Sequence, residues 1–319
     1  MKKISDLVSS NNEEVELLLR LSDVNIKKTS SGDDYASMIG FDGVDKIEAK
    51  IWSFNDEFKE LLVSGEVYKV KARTKQYQNR TQINILAIEQ VLENDGYDLS
   101  MFYEKAKFSS DELAKKINEY FMKINNQTLK TVVSVLLKKH FNDFFNYPAA
   151  VSMHHNYFSG LAYHTYSMLK LSDAYLELYP FINKDLVYSG IILHDLGKIV
   201  ELSGPKGTEY TKKGKLLGHI SLGASEVTSV STELGLEDTE EVINLLHIIL
   251  SHHGQLEYGS PKEPATPEAA LIHFLDYNDS RLAALEPEVN KTNKGEYTQP
   301  IAPFDRRIFY IPDIKNDKN

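Results

Sequence analysis

The chain has 319 residues, 42% of them hydrophobic, a formal net charge of −10 and no cysteine. Its length suits two domains better than one, and the missing thiols exclude disulfides and thiolate metal sites. The apolar runs are too short to span a bilayer, residues 1–20 lack a signal-peptide layout so that a cytoplasmic protein is expected, and the acidic balance argues against wholesale wrapping of nucleic acid while allowing a local basic groove.

In chain order, residues 1–95 read as β-rich after a short initial helix. Asn12 to Leu19 fits either that helix or the lead into a first strand, and Arg20 to Thr29 alternates loosely before a Ser/Gly/Asp turn cluster. Tyr35–Phe41 and Ile47–Phe54 read as strands parted by Asp42-Gly43. Asn55–Leu62 suits a short helix, and Glu66–Lys75 and Gln82–Leu92 complete the set. Five short strands with a helix before the last two predict a small closed barrel, best matched by an OB-fold. Residues 96–150 form a helical connector, with a helix capped at Ser110-Asp111-Glu112 and another over Leu129–Phe145. Helices are then expected over Asn156–Leu178, Lys184–Leu202, Ser221–Leu234, Asp238–Ser251 and Pro267–Leu285. These make 151–290 an all-α domain, and 291–319 reads as a polar tail.

The fourth strand carries Lys69, Lys71, Arg73 and Lys75 at alternate positions, with Arg80 across the next turn. Alternate side chains of a strand share a face, so these cations form a row. No acidic residue occurs between Val67 and Ile88. Such a row suits a phosphate backbone, and Trp52, Tyr77, Tyr68 or Phe54 offer stacking surfaces for bases. The plainer reading is a solvated strand face whose lysines discourage edge pairing.

Nine of the ten histidines lie between His154 and His273. That window holds His164, His194-Asp195, His219, His252-His253 and Asp276, the mixture of imidazole and carboxylate that divalent ions accept. Asp195 has two oxygens and can bridge ions roughly 3.5–4 Å apart. His164 and Asp276 would complete one shell, and His219 with either His252 or His253 the other. The pair His194-Asp195 follows the apolar run Gly190–Leu193, and buried ionisable groups need partners. A lone histidine such as His164 is more often a hydrogen-bonded helix residue. His247 and His273 are expected in the core or behind the ligands, His140 on the surface, and His154 and His155 either behind the ligands or in a turn near the site mouth.

His164, His194-Asp195 and Asp276 resemble the four-part signature of the HD phosphohydrolase superfamily. A longer set is similar to the YhaM family: Met153-His154-His155-Asn156-Tyr157, Gly160-Leu161 with His164-Thr165, His194-Asp195-Leu196-Gly197-Lys198, Gly218-His219, His252-His253-Gly254, Thr266-Pro267-Glu268-Ala269 and Phe304-Asp305-Arg306-Arg307. The resemblance covers most of the chain. It implies a multidomain α and β protein, an N-terminal OB-fold-like barrel followed by an all-α HD helical bundle, acting as a 3′→5′ exoribonuclease. It further implies two divalent ions, Mn²⁺ first with Mg²⁺, Fe²⁺, Co²⁺ or Ni²⁺ as alternatives, held by His164, His194, Asp195, His219, His252 or His253, and Asp276. Asp195 and Lys198 would be catalytic, Lys198 lying near the phosphate, while His154, His155 and Arg281 would contact phosphate or support the ligands. Single-stranded RNA is the expected partner, with single-stranded DNA as the alternative, no membrane, and a homo-oligomer left open. Three positions depart from the family pattern. Tyr163 stands where an acidic residue is expected, Tyr277-Asn278 replaces Asn plus an apolar residue, and Arg281 replaces a lysine. A hydrolase of small or cyclic nucleotides and a non-catalytic nucleic-acid-binding factor are the competing readings.

Overall fold

A computed structural model describes residues 1–7, 10–29, 31–77, 80–92, 95–97, 99–103, 106–151, 157–206 and 208–314. The expectations for His154 and His155 lie outside these residues. Contacts divide the chain into two units, residues 1–104 with 206–208 and residues 105–205 with 209–319.

In the first unit, β1 (Glu14–Lys28), β2 (Asp34–Phe41), β3 (Lys46–Ile51), β4 (Val67–Tyr77) and β5 (Arg80–Gln90) close into a barrel in the order β1-β2-β3-β5-β4. The β3–β5 pairing is parallel and the others are antiparallel. With helix α1 (Asp56–Leu61) between β3 and β4, this is the arrangement of an OB-fold. β1 serves both β2 and β4, and its register shifts between Ser22 and Asn25, where Asp23 takes a left-handed backbone. Such a bulge lets one long strand bend around a small barrel. Asn12–Leu19 thus resolves as strand from Glu14 onward, and a 3-10 turn at Ile4–Leu7 precedes it. Leu17, Leu19, Val70, Ala72, Ile83 and Ile85 point inward, which follows from the two-residue period of strands with one apolar face. Asp42 is buried in the β2–β3 turn, where its carboxylate accepts hydrogen bonds from the Ile4, Val44 and Asp45 amides.

The second unit is helical: α2 (Ser110–Met122), α3 (Gln127–Lys139), α4 (Phe141–Asn146), α5 (Gly160–Leu178), α6 (Lys184–Leu193), α7 (Lys198–Glu201), α8 (Lys212–Glu233), α9 (Glu240–Ser251) and α10 (Pro267–Lys291). α2 opens with a reciprocal Ser109–Glu112 capping box. Leu113, Ile117, Val132, Leu136 and Phe144 from α2–α4 share one core with Leu161, Leu169, Ile191, Ile249 and Ile272 of the later helices.

Four expected helices are revised. Leu129–Phe145 breaks at His140, whose backbone leaves the helical region. Lys184–Leu202 is two helices joined by a tight turn. α8 begins at Lys212 rather than Ser221 and kinks at Gly218. α10 runs through Pro287 to Lys291, so the expected end at Leu285 is too early. The segment after α10 doubles back on itself through Tyr297–Tyr310 and Ile301–Arg307 bridges. No described helix is long and apolar enough to cross a membrane.

Candidate metal centre

Each candidate ligand sits where regular helix stops or bends, apart from His164 and Asp276. α6 ends at Leu193, and His194 to Gly197 form a turn held by bonds from the Leu196 amide to the Leu193 carbonyl and from the Lys198 amide to the Asp195 carbonyl. Bonds of this i→i+3 kind wind more tightly than an α-helix, and they bring both His194 and Asp195 to bear on one space. Gly197 allows this closeness. A β-carbon there would lie 2.0 Å from the His219 carbonyl oxygen. At Gly218 the backbone is left-handed, with φ 71° and ψ 155°, a conformation that favours glycine. The kink makes His219 the start of a new helical run, and its otherwise orphaned amide donates to Glu201 Oε1 at 3.0 Å. His252 and His253 follow the end of α9, where the left-handed Gly254 leaves room for the His273 ring.

The ligands assemble in two groups around one carboxylate. His164, His194 and Asp276 form the first, and His219, His252 and His253 the second. Asp195 lies between them. Its Oδ2 is 3.3 Å from His194 Nε2 and 3.7 Å from His164 Nε2. Its Oδ1 is 3.5 Å from His219 Nε2 and 3.7 Å from His252 Nε2. One aspartate therefore presents a separate oxygen to each group, as a shared carboxylate must.

The far nitrogen of each of the five candidate imidazoles is tied to an acceptor. His194 Nδ1 meets the Ile191 carbonyl at 2.8 Å, His252 Nδ1 the Ile249 carbonyl at 2.7 Å and His253 Nδ1 the Tyr258 carbonyl at 2.8 Å. Carboxylates hold the other two: Asp279 lies 2.7 Å from His164 Nδ1, and Glu201 lies 3.2 Å from His219 Nδ1. An acceptor at Nδ1 fixes the proton there and aims the Nε2 lone pair into the site, the usual support for a metal-ligating histidine. Asp195 Oδ1, His219 Nε2 and His252 Nε2 are buried without hydrogen-bond partners. Each such orphan costs about 1–3 kcal/mol, and a divalent cation held among them would satisfy all three together. These residues fit a metal.

Electrostatics agree with that assignment except at His164, whose Nε2 proton a bound cation would replace. Burial works against an ionised Asp195, yet the Lys198 ammonium and then His194 hold its carboxyl well below the usual range. Burial would likewise raise Asp276, but its hydrogen bond with His164 lowers it. Burial alone would lower His164. The hydrogen bonds to Asp276 and Asp279 outweigh it, and the group is pushed up to about 10. Burial drives His252 well below its ordinary value, with His253 and His194 adding to the effect. It is a neutral donor at physiological pH. Lys198 is buried with its Nζ 2.7 Å from Asp195 Oδ2, and that charge overcomes burial and raises it.

The centre opens into a cavity of about 330 Å³ lined by Lys198, Glu201, Tyr210, His219, His253, Tyr258, His273, Asp276, Tyr277 and Arg281, among others. Lys198 and Arg281 thus share its wall. Of the supporting residues, His273 Nδ1 lies 3.0 Å from the His252 carbonyl. His247 instead accepts from the Ala265 amide, and His140, expected on the surface, is half-buried against Glu226 at 3.0 Å. Sequence reasoning missed Asp279 and Glu201. Each stands three residues beyond a candidate already chosen, Asp276 and Lys198, which is the spacing that returns a helix to the same face.

On the barrel, the β4 cations all point outward as the alternation requires, but they are not unopposed. Neighbouring strands supply Glu14, which pairs with Arg73 at 2.5 Å and Lys71 at 3.9 Å, and Glu89, which pairs with Lys69 at 3.4 Å. Lys75 and Arg80 are exposed. Tyr68 and Phe54 are not stacking surfaces. Both are buried, and the Tyr68 hydroxyl bonds the Leu61 carbonyl and Val63 amide beside α1. Trp52 and Tyr77 are exposed. Trp52 stacks on Tyr35 with centroids 5.1 Å apart, and Lys50 lies over both Trp52 and Tyr77.

This constellation of two histidine groups about a central aspartate lies within residues 161–280, which match the family model described as HD domain. The matched segment supports a metal-dependent phosphohydrolase. The helical unit of this chain therefore contains an HD domain, preceded in sequence by a closed five-stranded barrel.

Proposed function

We propose that the protein is a metal-dependent 3′→5′ exonuclease acting on single-stranded RNA, with single-stranded DNA as a second substrate. The observation that carries the reading is Asp195 with one oxygen toward each histidine group, accompanied in the same chain by a barrel with an outward row of cations and exposed aromatics. A hydrolase of small nucleotides has no need of such a face. In the resemblance to the YhaM family the same two parts occur together.

Bound ions, Mn²⁺ by preference, would lower the pKa of water to give a nucleophile near neutral pH and would neutralise charge on the phosphoryl oxygens. His164, His194 and Asp276 would hold one and His219, His252 and His253 the other, with Asp195 shared. The remaining work belongs to the chain. The barrel retains the strand through its phosphates and through stacking on Trp52 and Tyr77. Lys198 offsets the negative charge of the scissile phosphate from a buried position. Oxygen from water bonds to the terminal phosphorus, the bond from phosphorus to the upstream O3′ breaks, and that O3′ takes up a proton. A nucleoside 5′-monophosphate leaves, and the shortened chain keeps a free 3′-hydroxyl.

Replacing Asp195 by Ala should lower cleavage of a 5′-labelled oligoribonucleotide by about a thousandfold or more while leaving its retention by the barrel largely intact. Unchanged turnover, or products shortened from the 5′ end, refutes the assignment.

A further inference from the structure

We propose that Arg281 is the receptor for the phosphate one nucleotide upstream of the bond being cut. The inference rests on the nuclease reading and adds to it a reason why a polymer outcompetes a mononucleotide.

Arg281 lines the cavity that holds the histidine groups. Its guanidinium carbon lies 3.9 Å from the centroid of the Tyr277 ring and 6.0 Å from that of Phe304. The group is thus flanked by an aromatic ring on α10 and another from the C-terminal segment. Flanking rings hold the planar fork in place without using its N–H donors. Among the described residues, the Arg281 side chain has no carboxylate within ion-pair distance and no hydrogen bond. A half-buried cation that lines the cavity and makes no ion pair within the chain suits an oxyanion from outside it, and phosphate oxygens match its fork.

The register along α10 says which phosphate. Arg281 is five residues beyond Asp276, about 7.5 Å along the helix axis and about 140° around it, and both side chains line the same cavity. Such an offset is on the order of one nucleotide step in an extended strand. Lys198, in contact with Asp195, is placed for the scissile phosphate. Arg281 is placed for the next. Phe304 ends a 3-10 turn, Ala302–Phe304, and Asp305 and Arg306 after it both adopt left-handed backbone. Arg281 and Phe304 also fall outside the matched segment 161–280.

The test removes the charge on each side in turn. Two oligonucleotides carry an ordinary terminal diester, and in one the penultimate linkage is an uncharged methylphosphonate. With the Mn²⁺-loaded wild-type protein, the neutral linkage should lower kcat/KM about tenfold, chiefly through KM, as expected for loss of one charge-assisted bidentate contact. Arg281→Ala should show a similar loss on the ordinary oligonucleotide and less than about a twofold further loss on the neutral one, so that the two changes are not additive. Arg281→Lys keeps the charge but not the fork and should recover part of the discrimination. If the neutral linkage costs the variant as much as it costs the wild type, Arg281 only ties the C-terminal segment to α10 and the proposal fails. If the wild type hydrolyses bis(4-nitrophenyl) phosphate but neither oligonucleotide, the nuclease reading itself fails.

Discussion

His164 is pulled in two directions by its surroundings. Burial disfavours its charge, and two aspartates on the same face of α10 favour it more strongly, raising it from 6.5 to about 10. A raised histidine adds stability in full below its ordinary value, and that increment is lost as pH rises through the folded value. Metal-free protein should therefore weaken between pH 6.5 and about 10, and Asp279→Asn should weaken less over the same range. Urea melts at the two ends of that window check both, and equal declines in the two proteins would rule the explanation out. An ion bound at Nε2 must displace the proton there, so metal affinity should rise across the same interval. The candidate ligands stood out in the sequence because histidine is scarce, with ten in the chain, and clusters with the His194-Asp195 pair. Asp279 and Glu201 were not, since a carboxylate on a helix is ordinary until the imidazole beside it is known.

Among the elements, the break between α6 and α7 matters most. The apolar run Gly190–Leu193 continues into Leu196, Ile199 and Val200, so hydrophobic spacing alone extends the helix unbroken. What ends it is the approach of α8, which Gly197 permits. A methyl at that position would meet the His219 carbonyl and the Gly223 amide nitrogen at 2.0 and 2.6 Å. Gly197→Ala should cost about 1–3 kcal/mol or more and move His219 away from Asp195. Thermal melts with and without Mn²⁺ should show a lowered midpoint and a diminished gain from the ion; a normal gain would mean that α8 yields without disturbing the centre. Glycine contacts of this kind depend on what packs opposite, and no local pattern reveals the opposite element. The same holds for α8, where Gly218 stands between two helical runs that only tertiary packing joins into one element.

In the whole molecule, two separate cores support two surfaces with different charge behaviour. The barrel strands were readable because alternation is strict on β4 and the closing order follows from five strands and one helix. The charge of the β4 face was misread, because Glu14 and Glu89 arrive from neighbouring strands through pairing register. Glu14 already occupies Arg73 and Lys71, and on the proposed reading RNA would have to compete with it. Glu14→Gln should tighten binding of single-stranded oligouridylate about threefold at low salt and steepen the fall of affinity with added salt. Fluorescence anisotropy across a salt series measures both. Weaker binding by the variant would show that the β4 face is not the contact surface.

The braces behind the imidazoles differ in kind. The carbonyls of Ile191, Ile249 and Tyr258 belong to the main chain and exist whatever side chain is carried there. Drift at those three positions can alter packing without turning a ring. Glu201 and Asp279 offer no such insurance, because one base change removes the acceptor altogether. The two histidines they steer, one in each group, are therefore where inherited variation would first unsettle the cage, and a natural variant with every ligand intact could still be inactive.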